Sequence, residues 1–175
     1  QGIHINFLSM RLPDGPQNKE EEKWQEKFTK GQEMEEGYRT QQATRPQTLS
    51  YGMMDSPVGV AAWIIEKMYS WSDLENNNIE SVYSKDILLA NVMIYILTKT
   101  FNTASWIYYG RREEGGRSFP KDFKQIKVPT AIAIFPAEMS PWPPRSYLDR
   151  MFNVKQLTKM PKGGHFAALE QPDLL

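Results

Sequence analysis

An almost continuously apolar run at residues 128–135 limits what this chain can fold into more than any other part of its sequence. A run of this length without polar alternation is typical of a β-strand that is buried on both faces, as in a parallel sheet. A second strand is predicted at residues 154–160, and a brief helix at residues 141–150 lies between the two. The order strand, helix, strand therefore predicts an α/β arrangement for this end of the chain.

The remainder is predicted to contain one further strand and several helices. Residues 2–8 alternate and are rich in β-forming side chains, which predicts a short core strand. Residues 19–36 are mostly Glu, Lys and Gln, which predicts a charged amphipathic helix with a solvated face. Asp55 or Ser56 can cap a helix whose first residue is Pro57.

Two more helices are predicted before the strand at residues 128–135. The first opens at residue 84 and is nearly all apolar, so we expect it to be buried. The second covers roughly residues 102–109 and ends in a polar loop at 110–116. The order along the chain is thus core strand, helical insertion, strand, helix, strand.

The composition excludes several kinds of function. Lys and Arg together number 21, as do Asp and Glu, so a net charge of zero gives no electrostatic case for binding nucleic acid or an acidic membrane surface. The absence of cysteine excludes disulfides, thiolate catalysis and cysteine-based zinc sites. The chain begins at a glutamine with no signal-peptide pattern and ends on an apolar Leu-Leu, so we expect both ends to be truncated.

The two histidines are the candidates for a general base. His4 lies within the first predicted strand and is interpreted as structural. His165 follows the last predicted strand and a pair of glycines, which places it at the carboxyl edge of the sheet, where α/β folds hold their catalytic groups. Glu138 follows the preceding strand at the same edge, and acid before base is the order of α/β-hydrolases. We predict that Glu138 orients His165, although an exposed loop glutamate fits the pattern equally well.

Four segments, taken in order, resemble the microsomal-type epoxide hydrolases. They read Gln-Ala-Thr-Arg-Pro-Gln-Thr at 42–48, Asp-Ser-Pro-Val-Gly-Val-Ala-Ala-Trp-Ile at 55–64, Val-Pro-Thr running to Phe-Pro-Ala-Glu at 128–138, and Gly-Gly-His-Phe-Ala-Ala-Leu-Glu-Gln-Pro-Asp-Leu-Leu at 163–175. The resemblance implies a partial α/β-hydrolase fold, made of its C-terminal core strands and helices, with a helical lid insertion. The implied domains are a core strand at 1–11, the lid at 12–117 and the C-terminal core at 118–175.

The same resemblance implies the roles of four side chains. His165 would be the general base and Glu138 its charge-relay acid, while Tyr38 and Tyr108 would be lid tyrosines that hold the epoxide oxygen. Tyr109 is the off-by-one competitor of Tyr108. Phenols suit this role because the strained ring opens to an alkoxide, a strong base that needs a donor. A group with a pKa of about 10 stays protonated at neutral pH and can supply that donor.

The nucleophile of that family is an aspartate in a His-Gly-Gly-Asp-Trp-Gly type elbow, and this motif does not occur in the 175 residues. By resemblance it would lie upstream of Gln1. We therefore expect the chain alone to be inactive and the N-terminal half of the same protein to be its partner. The implied substrates are a small apolar epoxide and water, with no metal or organic cofactor and no nucleic acid. Formation of a homodimer and attachment to a membrane stay open.

Two other interpretations stay open as well. Another α/β-hydrolase, either a haloalkane dehalogenase or an esterase, would use the same acid and base. A dehalogenase has no use for paired lid tyrosines, however, and an esterase needs a serine in the elbow. The interpretation from a different class is a pseudoenzyme or an inactive fragment. Four large side chains either line an apolar substrate cavity or, more usually at helical spacing, belong to the helical core: Met53, Met54, Trp63 and Trp71.

Overall fold

The computed structural model describes residues 1–33 and 35–175, which divide into two compact units. The sheet unit comprises Gln1–Met34 and Arg117–Leu175, and the helical unit comprises Glu35–Gly116. Residue 34, which the predicted helix 19–36 includes, lies outside the described residues. The assignment of residues 12–117 to one lid stays a prediction, and residues 12–33 fold in the structure with the sheet.

A parallel sheet of three strands lies in the described part of the sheet unit. Its strands are β1 (Ile3–Ile5), β2 (Ile126–Ile134) and β3 (Phe152–Lys159), in the spatial order β1-β2-β3. Ile132 of β2 lies opposite Ile5 of β1 on one side and Leu157 of β3 on the other. The predicted parallel arrangement is confirmed, with β2 beginning at Ile126 instead of at residue 128.

Eight α-helices are present in residues 1–33 and 35–175. Those of the sheet unit are α1 (Lys19–Glu33), α7 (Arg145–Met151) and α8 (Ala167–Glu170). Those of the helical unit are α2 (Glu36–Thr44), α3 (Pro46–Met54), α4 (Pro57–Ser70), α5 (Lys85–Thr98) and α6 (Phe101–Glu113). Short 3-10 turns occur at Glu75–Asn77, Ile79–Ser81 and Pro172–Leu174.

The core of the sheet unit forms where α7 packs with the sheet. Its buried side chains are Leu12, Ile132, Tyr147, Leu148, Met151, Phe152 and Val154. The phenol oxygen of Tyr147 accepts a hydrogen bond from the N–H of Leu12 at 2.7 Å, so its polar end is satisfied within the core. The helix predicted at 141–150 begins only at Arg145, because prolines at 141, 143 and 144 disfavour a helical conformation in the residues before them.

Helix α1 is attached to α7 by a buried ion pair. Glu21 is 1% exposed and accepts hydrogen bonds from Nη1 of Arg150 at 2.7 Å and from Oγ of Ser146 at 2.8 Å. The ring of Trp24 packs on Tyr147 with 4.6 Å between centroids. These contacts explain why a helix with a mostly charged sequence belongs to the sheet unit.

Two helices of the helical unit begin as their capping residues predict. Oγ of Ser56 accepts a hydrogen bond from the N–H of Gly59 at 3.1 Å, and Pro57 follows as the first residue of α4. Ser84 caps α5 in the same way, at 3.3 Å from the N–H of Ile87. Ser56 is therefore the cap of α4, whereas Asp55 ends α3.

The other helices of this unit depart from the predictions. Helices α2 and α3 are not indicated by the sequence pattern, because each is 9 residues long and gives few turns in which an apolar period can be recognised. Helix α2 ends at Thr44 and α3 begins at Pro46, because a proline disfavours a helical conformation in the residue before it. Helix α6 continues to Glu113 and so includes part of the predicted loop at 110–116.

The prediction that α5 is buried is wrong for one of its faces. Leu88 and Val92 are buried, whereas the exposed side chains include Ile87, Leu89, Ile94 and Leu97. The apolar sequence extends round the whole helix, but its principal neighbour, α4, covers only one side. No single helix in the described residues is long and apolar enough to cross a membrane; α5 and α6 reach that length and composition only together, across a bend of 88°.

Candidate active site

His165 and Glu138 meet beyond the ends of β3 and β2. Nδ1 of His165 lies 3.0 Å from each of the two carboxylate oxygens of Glu138. The side chain of Glu138 is 3% exposed and that of His165 is 19% exposed, so the acid is buried behind the base. The structure brings together the two side chains that the sequence pattern pairs, while their catalytic roles stay a prediction.

A tight turn after β2 holds Glu138. The N–H of Glu138 donates to the carbonyl of Phe135 at 3.4 Å, and the Glu138 carboxylate accepts a hydrogen bond from the N–H of Ser140 at 3.2 Å. The N–H of Ala137 donates to the carbonyl of Gly163 at 3.1 Å, which joins this turn to the loop that carries His165. Because β2 and β3 are parallel neighbours, a short loop after each strand is enough to bring the two side chains together.

Gly163 makes the close approach of the histidine loop possible. Its φ is +108°, and a Cβ at this position would lie 2.7 Å from Cδ1 of Phe135. A residue with a side chain would therefore be strained in its backbone and would collide with a buried ring. The first glycine of the Gly-Gly pair is required by this packing and brings the backbone of the histidine loop against the end of β2.

Two aromatic rings contact the imidazole edge-on. The ring of Phe7 lies 4.8 Å from that of His165 at 81°, and the ring of Phe166 lies 5.1 Å away at 87°. Phe7 is absent from the predicted site residues. The available signal was its position just after β1, since the carboxyl ends of parallel strands share one edge of the sheet.

The contact with Glu138 determines which nitrogen of His165 can act as a base. A carboxylate accepts hydrogen bonds, so the hydrogen of a neutral imidazole resides on Nδ1 and Nε2 keeps its lone pair. The same carboxylate stabilises the imidazolium that forms when Nε2 takes a proton. This pair can therefore deprotonate a water molecule and later return the proton to a leaving oxygen.

The helical unit brings Tyr38 and Tyr108 together. Tyr38 lies in α2 and Tyr108 in α6, and their ring centroids are 5.9 Å apart in an edge-to-face arrangement. The ring of Tyr109 instead lies 5.4 Å from that of Trp106. The geometry therefore favours Tyr108 over Tyr109 as the companion of Tyr38, while the role of the pair as oxygen donors stays a prediction.

A lysine lies over the ring of Tyr38. Nζ of Lys67 is 5.1 Å from the Tyr38 centroid and 5.2 Å from that of Trp71, and the Tyr38 and Trp71 centroids are 5.2 Å apart. Burial lowers the pKa of Lys67, but Glu66 and Glu35 raise it by more, so the net pKa is raised. Glu35 also accepts a hydrogen bond from Nε1 of Trp71 at 3.0 Å. Tyr38 thus lies beside a hydrogen-bonded group formed by Lys67, Glu35 and Trp71, which the sequence pattern does not predict.

The large side chains considered for a substrate cavity lie mostly in the helical core. Trp71 is buried, and the ring of Trp63 packs against Phe101 with 6.2 Å between centroids. Met53 and Met54 line a cavity of about 20 Å³, which has room for roughly one water molecule. Of the two interpretations, the helical core is favoured for Met53, Trp63 and Trp71, whereas Met54 is 40% exposed. Among the described residues, no group of three or more His, Asp or Glu side chains is placed to hold a metal ion.

Several known proteins that are similar to this chain are named as epoxide hydrolases. The chain is 36% identical over 146 residues to epoxide hydrolase 1 of Oryctolagus cuniculus, and the aligned segment spans 81% of this chain and 32% of that protein. It is 38% identical over 146 residues to juvenile hormone epoxide hydrolase 2 of Ctenocephalides felis, and the aligned segment spans 81% of this chain and 31% of that protein. The structure of Aspergillus niger epoxide hydrolase matches with a TM-score of 0.75 at 28% identity, over 98% of this chain and 42% of that one. No family model matches the chain.

The similarity extends over most of this chain but over less than half of each relative. The match to the Aspergillus niger structure covers 98% of this chain, so it includes both the sheet and the helices. The chain therefore belongs to the epoxide hydrolase family and folds as part of an α/β-hydrolase.

Proposed function

We propose that the whole protein hydrolyses epoxides to vicinal diols through an ester intermediate on an aspartate. The observation that carries the proposal is the buried carboxylate of Glu138 on Nδ1 of His165, in a chain of the epoxide hydrolase family. Because the carboxylate favours the hydrogen on Nδ1, Nε2 carries the lone pair of the neutral imidazole, and ester hydrolysis requires such a base. The substrate is an epoxide and water, and the reaction needs no metal or organic cofactor.

In the first step an aspartate, which these 175 residues do not provide in the required motif, attacks one carbon of the epoxide. A carboxylate C–O bond forms while the epoxide C–O bond breaks, and the electron pair of the broken bond remains on the epoxide oxygen. Tyr38 and Tyr108 donate hydrogen bonds to that oxygen, and one phenol transfers its proton to it. The product of this step is an ester between the aspartate and the opened substrate.

In the second step Nε2 of His165 takes a proton from water, and the resulting hydroxide attacks the ester carbonyl. Glu138 stabilises the imidazolium that forms. Collapse of the tetrahedral intermediate breaks the ester bond, and the leaving alkoxide takes the proton from His165 to complete the diol. The new carboxyl group returns its proton to the tyrosinate, so both the aspartate and the phenol regain their starting states.

Single-turnover hydrolysis in ¹⁸O-labelled water tests this mechanism with the full-length protein. We expect the first turnover to release unlabelled diol and to leave the label in the enzyme carboxylate, because water attacks the ester and not the epoxide. A labelled diol in the first turnover would mean direct attack of water. Undiminished diol formation by His165→Gln would exclude His165 as the base.

Paired tyrosines favour an epoxide over the substrates of related hydrolases. A halide leaves without needing a proton, so a dehalogenase gains nothing from Tyr38 and Tyr108, whereas an opening epoxide needs a donor. An ester substrate would require a serine nucleophile. We expect the full-length protein to turn over an epoxide such as styrene oxide and to leave a matched haloalkane and a matched ester unchanged, and the isolated 175-residue chain to form no diol.

A further inference from the structure

A second carboxylate contacts the backbone on both sides of His165. Glu170 is the last residue of α8 and is 8% exposed. Its Oε2 accepts a hydrogen bond from the N–H of Gly164 at 2.8 Å, and its Oε1 accepts one from the N–H of Phe166 at 2.8 Å. The two residues that flank the histidine are thus held by one side chain.

These hydrogen bonds are of the strong kind. Both have a charged acceptor. The bond from Gly164 is buried, where an unpaired amide would be costly, and the bond from Phe166 is partly buried. The N–H of Glu170 donates in turn to the carbonyl of Phe166 at 3.0 Å, so the two residues are joined in both directions. The single turn of α8 is therefore joined to the histidine loop by hydrogen bonds that run in both directions.

The histidine loop needs such a connection because glycine residues impose little conformational preference on the backbone. Gly163 and Gly164 precede His165, and glycine backbones lose more freedom on folding than any others. The N–H of Gly164 belongs to the peptide unit between Gly163 and Gly164, and the N–H of Phe166 to the one between His165 and Phe166. Glu170 thus fixes the backbone at both ends of the Gly164–His165 segment, which restricts the direction of the His165 Cα–Cβ bond toward Glu138.

We propose that Glu170 is a positioning residue for the hydrolytic step. It holds the backbone of the histidine loop so that Nδ1 of His165 stays on Glu138 and Nε2 stays where water is deprotonated. Glu138 orients the imidazole through its side chain, and Glu170 orients it through the main chain. This inference rests on the proposed function, in which His165 acts only after the ester has formed.

The two-step reaction separates positioning from general stability. Loss of positioning slows ester hydrolysis but leaves ester formation intact, because the first step uses the aspartate and the tyrosines. A variant that merely lowers the amount of folded protein reduces both steps in equal proportion. Accumulation of the ester is therefore the signature of a positioning role.

The test compares Glu170→Gln and Glu170→Asp with Asp173→Asn in the full-length protein, with styrene oxide as the substrate and rapid quenching to measure the ester. Asp173 is exposed and lies in the next turn, so its variant removes the same charge without touching the loop. We expect Glu170→Gln to slow ester hydrolysis by about 10- to 100-fold, as a displaced catalytic group does, with ester formation within about twofold of the unaltered protein. Glu170→Asp keeps the charge but cannot reach both N–H groups, so a smaller defect of the same kind is expected.

A second measurement does not depend on turnover. The proton between Nδ1 of His165 and Glu138 should give a low-field NMR signal that weakens in both Glu170 variants and persists in Asp173→Asn. Equal slowing of both steps, or an unchanged signal with unchanged rates, would overturn the proposal. If Glu170→Gln does not fold, the same rates and the same NMR signal are measured on Glu170→Asp, and the same results support or overturn the proposal. A full-length protein that forms no ester at all would refute the proposed function, while the NMR comparison would still decide the role of Glu170.

Discussion

Both carboxylate oxygens of Glu138 lie 3.0 Å from the same atom, Nδ1 of His165. Such a contact holds the imidazole plane and the tautomer at once, because the single hydrogen on Nδ1 is shared between two acceptors. Ser140 donates its N–H to the same carboxylate at 3.2 Å, so the acid itself is held in place. In the proposed mechanism His165 is thus already oriented as a base before any substrate binds.

Replacing Glu138 with glutamine should slow the second step selectively. The amide can present an N–H₂ group to Nδ1, which favours the tautomer with its hydrogen on Nε2 and removes the base. We expect ester hydrolysis to fall by about 100-fold or more and ester formation to change by about twofold or less. Rapid-quench measurement of the ester checks this, with Glu26→Gln, an exposed position on α1, as the control. Equal loss in both steps would argue against an orienting role.

Tyr108→Phe and Tyr109→Phe distinguish the two neighbouring tyrosines. The ring of Tyr108 lies 5.9 Å from that of Tyr38, whereas that of Tyr109 lies against Trp106. Loss of an oxygen donor should slow ester formation by about 10- to 100-fold in Tyr108→Phe, and Tyr38→Phe should behave alike. Tyr109→Phe should retain the unaltered rate. The rate of ester formation in single-turnover experiments is the measurement, and a larger defect in Tyr109→Phe than in Tyr108→Phe would reverse the assignment.

Gly163→Ala should destabilise the protein. The φ of +108° and a Cβ that would lie 2.7 Å from the ring of Phe135 together predict a cost of about 1–3 kcal/mol in the free energy of unfolding. Gly52→Ala is the matched control, because Gly52 lies in α3 with nothing within 4 Å of the position that an alanine Cβ would occupy, and alanine is the better helix former. Urea unfolding followed by circular dichroism measures both. Equal stability of the two variants would show that the histidine loop yields without cost.

The strands and the pairing of Glu138 with His165 could be predicted from short sequence signals and one rule of topology. An apolar run indicates β2, a glycine pair precedes His165, and the rule that parallel strands share one carboxyl edge joins Glu138 to that histidine. The starts of α4 and α5 followed from Ser56 and Ser84 for the same reason. The strands and the helix starts depend on a few consecutive residues, whereas the pairing of Glu138 with His165 also needs the rule of topology.

The features that the sequence analysis missed have different causes. Phe7 contacts His165 because β1 pairs with β2, and the carboxyl edge that parallel strands share is the signal that could have indicated it. The contacts of Glu170 are local, but α8 is only four residues long and its sequence pattern does not indicate that the Glu170 side chain turns back to the N–H groups of Gly164 and Phe166. The exposure of Leu97 on α5 depends on which neighbours cover the helix, and apolar composition alone does not specify them.

Buried Glu21 should make the stability of the protein depend on pH. Burial by itself raises the pKa of this carboxyl, but the N–H of Gln17, the hydroxyl of Ser146 and the charge of Arg150 lower it by more, so the net pKa lies below the ordinary value of a glutamate. A group of lowered pKa stabilises the folded state above the unfolded pKa, and this stability is lost as the pH falls through the folded value. Glu21→Gln should therefore cost about 2 kcal/mol at pH 7 and progressively less toward pH 3, while the exposed Glu22→Gln should cost nothing measurable at either pH. Urea unfolding of the full-length protein at both pH values measures the difference, and a cost that stays constant with pH would show that the charge of Glu21 does not matter.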